Sequence, residues 1–183
     1  MAKIGVRKLY YSNLTETNGT PTYDGAKALA KAVTSAMSMN NNSAELYADD
    51  ALAESDYSFA SATLTLGCDD DAVFATLLGH DVDNSGEITY SADDVAPYVG
   101  VAQIVTRMVA GVLSYKAEVL CKVKFSEPNT DNTTKGETVS FGTYSIEGKV
   151  HALADGTWRK AEVFTTEADA ITYITNEFKA PTP

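Results

Sequence analysis

The chain is short of cysteine, histidine and positive charge, and each shortage closes off a class of function. Its 183 residues include two cysteines, Cys68 and Cys121. They lie far apart in strand-like stretches, without a Cys-x-x-Cys, so a zinc ribbon or a multi-disulfide scaffold is excluded and two buried thiols are expected. A bridge between them needs their two strands to pair, which spacing leaves open. The two histidines, His80 and His151, follow a glycine at a helix end and close a strand. No nucleophile elbow, H-E-x-x-H, Walker A or G-x-G-x-x-G frames either one, so both read as structural or surface residues and no enzyme or cofactor is expected. Fourteen Lys and Arg stand against 25 Asp and Glu, a formal charge of −11. Affinity for duplex nucleic acid comes from neutralising phosphates, so this balance argues against it. No apolar run approaches the roughly 20 residues of a membrane span. "MAKIGVRKLYYSN" lacks a signal-peptide core, so neither Sec export nor a membrane anchor is expected. The single tryptophan, Trp158, and the tyrosines are scattered over strands, which suits core and rim positions better than a sugar-binding platform.

What is present is mostly strand. The length suits one domain, residues 1–183, able to bury roughly 70% of its unfolded surface. From Leu113 to Phe125, "LSYKAEVLCKVKF", every odd position is apolar, the mark of a long strand with one buried face. "VRKLYYS" (Val6–Ser12) and "SATLTLGC" (Ser61–Cys68) are further strands. "YVGVAQIVTRMV" (Tyr98–Val109) is apolar on both faces, as in a strand covered from both sides. In "TVSFGTYSIEGKV" the apolar parity changes at Gly142, which predicts a bulge there. Residues 26–39 are alanine-rich, which favours helix, but Leu29, Val33, Met37 and Met39 share one parity, and strand is the preferred reading.

Two helices are predicted. One starts at the Asp69–Asp71 run and ends at Gly79, with Val73, Phe74, Leu77 and Leu78 on one face. The other spans about 166–178, with Thr166 and Asp169 at capping-box spacing. Long loops are expected at about 40–58 ("NNNSAELYADDALAESDYS") and 126–137. The fold class is therefore mainly β, a sandwich or barrel with one or two flanking helices.

The stretch "GHDVDNSGEITYSADD" resembles a calcium loop at its start. Asp81, Asp83, Ser85 and Glu87 supply oxygens, and Gly86 stands where the sharp turn belongs. At position 12, where a bidentate glutamate is required, the residue is Ala92. Pro97 also interrupts any exit helix. A polar turn leading from the helix to a strand near Glu87–Tyr90 is the preferred reading. A Ca²⁺-binding module, or a carbohydrate- or surface-binding β-sandwich, stands as the alternative.

"MAKIGVRKLYYS", "GTPTYDGAKALAKAV", "NNNSAELYADD", "LLGHDVDNSGEI", "DDVAPYVGVA" and "KVKFSEP" occur in that order. Across Met1 to about Gly148 this resembles the major tail proteins of long-tailed phages and prophages of Gram-positive bacteria. The resemblance implies a β-sandwich or barrel with a flanking helix, made in the host cytoplasm and built into the virion. Hexameric rings would stack around a tape-measure protein, between distal tail and tail terminator proteins. DNA would pass through the bore without specific binding. It also implies that the 40–58 segment reaches toward a neighbouring ring. Asn41, Ser43, Glu45, Tyr47, Asp49, Asp50, Glu54 and Asp56 are the candidate assembly residues.

Overall fold

The alternating run around Leu113–Phe125 lies at the centre of a large antiparallel sheet. The computed structural model describes residues 2–29, 32–48, 51–68, 70–129 and 144–179. In chain order the elements are β1 (Ala2–Thr17), β2 (Thr20–Tyr23), β3 (Lys27–Leu29), β4 (Ala32–Ala48), β5 (Ala51–Cys68) and α1 (Asp71–Leu78). Then come β6 (Asp81–Val82), β7 (Ile88–Thr89), β8 (Tyr98–Val109), β9 (Val112–Ser126), β10 (Tyr144–His151), β11 (Arg159–Phe164) and α2 (Glu167–Glu177). The main sheet has the order β2-β1-β8-β9-β10-β5-β4, with β11 also on β9 and β3 also on β1. The fold is mainly β with two described helices, as the sequence predicts.

Strand β9 departs from the expected single buried face. Its pairing with β8 steps from Val99↔Val123 to Val101↔Leu120, so Cys121 and Lys122 oppose Gly100 alone. One extra residue on β9 is a β-bulge, and it reverses which face the odd-numbered side chains occupy. Ala117 and Val119 pack against Ala170 and Ile174 of α2 and against Phe178 at its C-terminal cap. Val123 and Phe125 point the other way, into a core with Leu64, Leu66 and Val150. The constant parity thus serves two cores. Cys121 is buried between Leu14 and Leu153, its thiol is free, and burial pushes its pKa up to about 11.

The bulge is also where the sheet forks. Beyond it, β10 pairs with Lys122–Ser126. Before it, β11 pairs with Tyr115–Leu120. At the fork, Cys121 N donates to Trp158 O at 3.0 Å. The sheet then curls over itself, bringing β4 against β8: Ser35 Oγ donates to Gln103 Oε1 at 2.7 Å. Gln103 Nε2 in turn donates to Glu118 Oε2 at 2.8 Å, and Lys116 pairs with Glu118. This polar chain satisfies groups held between the two layers, which would otherwise be costly to bury. β8 is covered on both faces from Val99 to Thr106, as its composition predicts.

The helix ends follow their sequence signals. Asp70 caps α1, its carboxylate accepting from Ala72 N at 3.2 Å and Val73 N at 3.4 Å. Gly79 closes it in the left-handed conformation, at φ 86°. Thr166 caps α2, accepting from Asp169 N at 3.2 Å. No described helix is long and apolar enough to cross a membrane.

One expectation is corrected outright. The segment 40–58 is not an irregular loop: apart from Asp49 and Asp50, which lie outside the described residues, it forms the arms of a β4–β5 hairpin. Cross-strand pairing supplies the strand geometry that its Asn, Ser and Asp content does not favour locally. Of residues 26–39, 27–29 are strand in β3 and 32–39 in β4, while Ala26 is irregular and 30–31 lie outside the described residues. In the 126–137 loop, 127–129 are irregular, and 130–143 lie outside the described residues, as does the bulge expected at Gly142.

Gly100 marks the tightest point between sheet and helix. A Cβ there would sit 2.6 Å from Phe178 Cε1 and 2.8 Å from Tyr23 Cε1. Gly100→Ala is therefore expected to cost about 1–3 kcal/mol by overpacking. Chemical denaturation measures this, and an unchanged midpoint would show that α2 can shift to accommodate the methyl.

Candidate functional site

The β4–β5 hairpin outruns the sheet that carries it. β5 pairs with β10 only over Ala62–Cys68. The hairpin's own pairs continue past Asn40↔Ser61, from Asn41↔Phe59 to Ala48↔Ala51. Among the described residues, no third strand pairs with either arm in this outer part. At about 3.4 Å per residue it is a two-stranded ribbon of roughly 25–30 Å. Each arm has one ladder edge used and one open, and an isolated two-stranded ribbon is marginal in water.

The root of the ribbon is anchored by aromatic packing. Phe59 stacks on Trp158 with ring centroids 4.3 Å apart and planes 4° from parallel. The Arg159 guanidinium lies 4.8 Å from the Trp158 ring centroid. Trp158 is thus engaged within the chain rather than offered as a sugar platform.

The candidate assembly residues fall on this ribbon. Asn41 and Ser43 are exposed on β4. Glu45 and Tyr47 continue β4, and Glu54 and Asp56 lie on β5. Register sets Glu45 opposite Ser55, Leu46 opposite Glu54 and Ala44 opposite Asp56. No two of these acids oppose each other directly, which avoids like-charge cross-strand pairs. From Ala32 to Thr106 the chain contains no lysine or arginine, so the ribbon's own sequence supplies acids and no lysine or arginine.

A second cluster lies at the opposite end of the sheet. The stretch that resembles a calcium loop is a small hairpin, with β6 and β7 pairing Asp81↔Thr89 and Val82↔Ile88. The Asp83 carboxylate accepts from Ser85 N at 2.8 Å, Ser85 Oγ at 2.7 Å and Glu87 N at 2.9 Å. These bonds, led by that from Ser85, hold Asp83 below the usual carboxylate range. The structure therefore brings Asp83, Ser85 and Glu87 together as a turn in which Asp83 is already the acceptor, while Asp81 belongs to the ladder. Among the described residues, no group of three or more His, Cys, Asp and Glu is arranged to hold a metal ion.

Sequence reasoning placed His80 at a helix end but did not see its partners. Its Nδ1 lies 2.6 Å from Asp94 Oδ2, and its Nε2 bonds Glu127. The side chain is only 6% exposed, and the ring sits 4.5 Å from that of Tyr90. Glu127 lies 47 residues further on, too far for any local pattern to connect the two. The Asp94 hydrogen bond, followed by that of Glu127, outweighs burial and raises the histidine's pKa. His80 in turn lowers that of Asp94. The arrangement clamps the end of β9 to the α1–β6 connection. Beside it is a cleft of ≈ 270 Å³ walled by Phe74, Leu78, Tyr90 and Pro128, with Asp71 at its rim.

No protein-family model matches the chain, and no curated protein matches it in sequence. The fold is that of a curled antiparallel β-sheet with helices packed on it, and its most distinctive surface is a ribbon with open backbone edges.

The clamp has a signed pH dependence. Because the folded state raises the His80 pKa, that contribution is complete below about 6.5 and is lost as pH rises through the higher folded value. The Asp94 contribution is present above about 3.9 and is lost as pH falls toward its depressed value. Thermal melts should show wild type exceeding His80→Gln most between about pH 4 and 6.5, with the gap closing at alkaline pH. A gap independent of pH would contradict an ionic clamp. Since Asp83 is committed to its own turn, calorimetric titration with Ca²⁺ to millimolar concentration should give no binding heat; a saturable heat would restore the metal reading.

Proposed function

We propose that this protein is a structural subunit that polymerises with itself, and specifically a phage tail tube subunit. The carrying observation is the ribbon beyond Asn40 and Ser61, which has strand pairing within the hairpin and none outside it among the described residues. Open edges on a marginal ribbon are completed most economically by other copies of the same chain. The ordered motif resemblance from Met1 to about Gly148 supports the tail tube as the particular assembly.

In that assembly, hexameric rings stack around a tape-measure protein and leave a bore for DNA ejection. One interface closes the ring, and a second, axial one repeats without closing. The net charge of −11 suits a conduit whose walls repel the duplex and let it slide. No catalytic step and no cofactor enter this function.

Deleting Ser43–Asp56 removes the outer ribbon and leaves the part of β5 that pairs with β10 intact. The expected product is a folded monomer that forms no tubes, whereas the full chain forms stacked rings with a central hole by negative-stain microscopy. Normal tubes from the deleted chain would overturn the role given to the ribbon, and a full chain that never assembles would overturn the tube itself.

A further inference from the structure

The outer ribbon is not the only strand with an open edge. Along one edge of β9, β10 and β11 follow each other in line, β10 on Lys122–Ser126 and β11 on Tyr115–Leu120. β5 lies on the far edge of β10, but among the described residues no strand lies on the far edge of β11. The Phe59–Trp158 stack holds the root of the ribbon to the residue just before β11. Past that stack the two part. Among the described residues, the outer β5 arm pairs only with β4, and β11 only with β9. The fork thus leaves a free strand edge on β11 beside the root of the ribbon.

The register shows which backbone groups this edge offers. Cys121 N donates to Trp158 O, and antiparallel pairs alternate between hydrogen-bonded and non-hydrogen-bonded. Arg159↔Leu120 comes next in register, so Lys160 and Glu162 turn their backbone groups to β9. Arg159, Ala161 and Val163 turn theirs outward. Residues 159–163 are all exposed. Free edges are usually guarded by proline, bulges or charge. β2 carries Pro21, and the free stretch of β1, from Ala2 to Lys8, is broken by two register shifts. β11 has an unbroken register and no proline. Its two cations are drawn onto the faces of the sheet, Arg159 over Trp158 and Lys160 to Glu177. Glu162 shares the Lys160 face by strand alternation.

We propose that β11 is the acceptor for the ribbon: the outer β4–β5 hairpin of one copy adds as a strand to the Arg159–Phe164 edge of the next. Alternate outward N–H and C=O groups along an edge are satisfied by another extended backbone. The occupant is a second copy because this chain itself projects such a backbone. The ribbon reaches roughly 25–30 Å beyond the sheet, against roughly 20 Å for β11 at strand rise, so one arm covers the edge. Donor and acceptor are different surfaces, so each added copy brings a fresh ribbon and a fresh edge, and the contact repeats. Pairing of β11 with β11 would instead close after two copies. This inference rests on the self-assembly reading and names the strand that receives the ribbon.

The test uses sedimentation velocity over a concentration series, with circular dichroism to check the fold of each variant. Ala161→Pro in the full chain removes an outward N–H and no bond to β9, and edge strands tolerate proline at such positions. It should stay folded and raise the concentration for half assembly by about tenfold or more. The chain lacking Ser43–Asp56 keeps the acceptor but has no ribbon, and should stay monomeric. Mixed where wild type assembles, the two variants should form a one-to-one dimer that grows no further. In wild type, hydrogen–deuterium exchange of the 159–164 peptide should slow on assembly, a reading that depends on neither variant. The β11 acceptor is overturned if folded Ala161→Pro assembles like wild type, if the mixture stays monomeric, or if exchange in 159–164 is unchanged. Each of these leaves the ribbon's own role standing. Association of the ribbon-deleted chain that Ala161→Pro abolishes would overturn the ribbon as occupant in favour of β11 pairing with itself. A wild-type chain that remains monomeric at every concentration overturns both the acceptor and the self-assembly reading.

Discussion

Backbone hydrogen bonding is the constraint on which the rest of this structure turns. Each strand residue presents a donor and an acceptor that must be paired or solvated. β8 is paired along both edges, by β1 and β9. β9 meets the same demand by dividing one edge between β10 and β11. The bulge at Cys121–Lys122 makes the division possible, because it turns the strand where its partner changes. It also supplies side chains to both the α2 core and the inter-layer core. The outer β4–β5 ribbon meets it by pairing on one edge of each arm and leaves the other edge, among the described residues, without a strand partner, and that open edge carries the functional reading.

On the proposed function, stability and assembly are separated along the molecule. The packed cores hold residues such as Leu64, Ile104, Val123 and Phe178 at essentially no exposure. The ribbon root is fixed by Phe59 on Trp158, so the ribbon's direction follows from the core while its outer edges stay open. A subunit of a repeating structure needs this division, with a fold complete enough to wait as a monomer and surfaces complete only in the polymer.

Much of the core was legible because local rules and tertiary packing agree there. The Asp70 cap, the Gly79 terminus, the Thr166–Asp169 cap and the doubly covered β8 all follow from short-range chemistry. Two features were not legible, for distinct physical reasons. The bulge in β9 leaves the apolar parity unbroken, so the sequence shows one stripe where the structure has two faces. The ribbon is the reverse case: "NNNSAELYADDALAESDYS" is rich in residues that favour turns, and only pairing to the opposite arm makes it strand. Of the candidate assembly residues, Asn41 and Ser43 are placed as exposed. Register shifts at Asn40/Asn41 and Leu46/Tyr47 leave Ala60 and Ala53 as extra residues on β5, so which residues face each other across the two arms does not follow from sequence spacing alone. The His80 clamp escaped detection because its acids come from separate segments.

On the proposed function, the ribbon of 41–48 and 51–59, paired only within its own marginal hairpin, gains lasting amide protection when other copies pack on its open edges. Hydrogen–deuterium exchange, compared between dilute monomer and assembled protein, addresses this most directly. The account predicts fast exchange across 41–59 in the monomer, protected β8 and β9 in both states, and protection of the ribbon only after assembly. Ribbon amides that exchange equally in both states would contradict it.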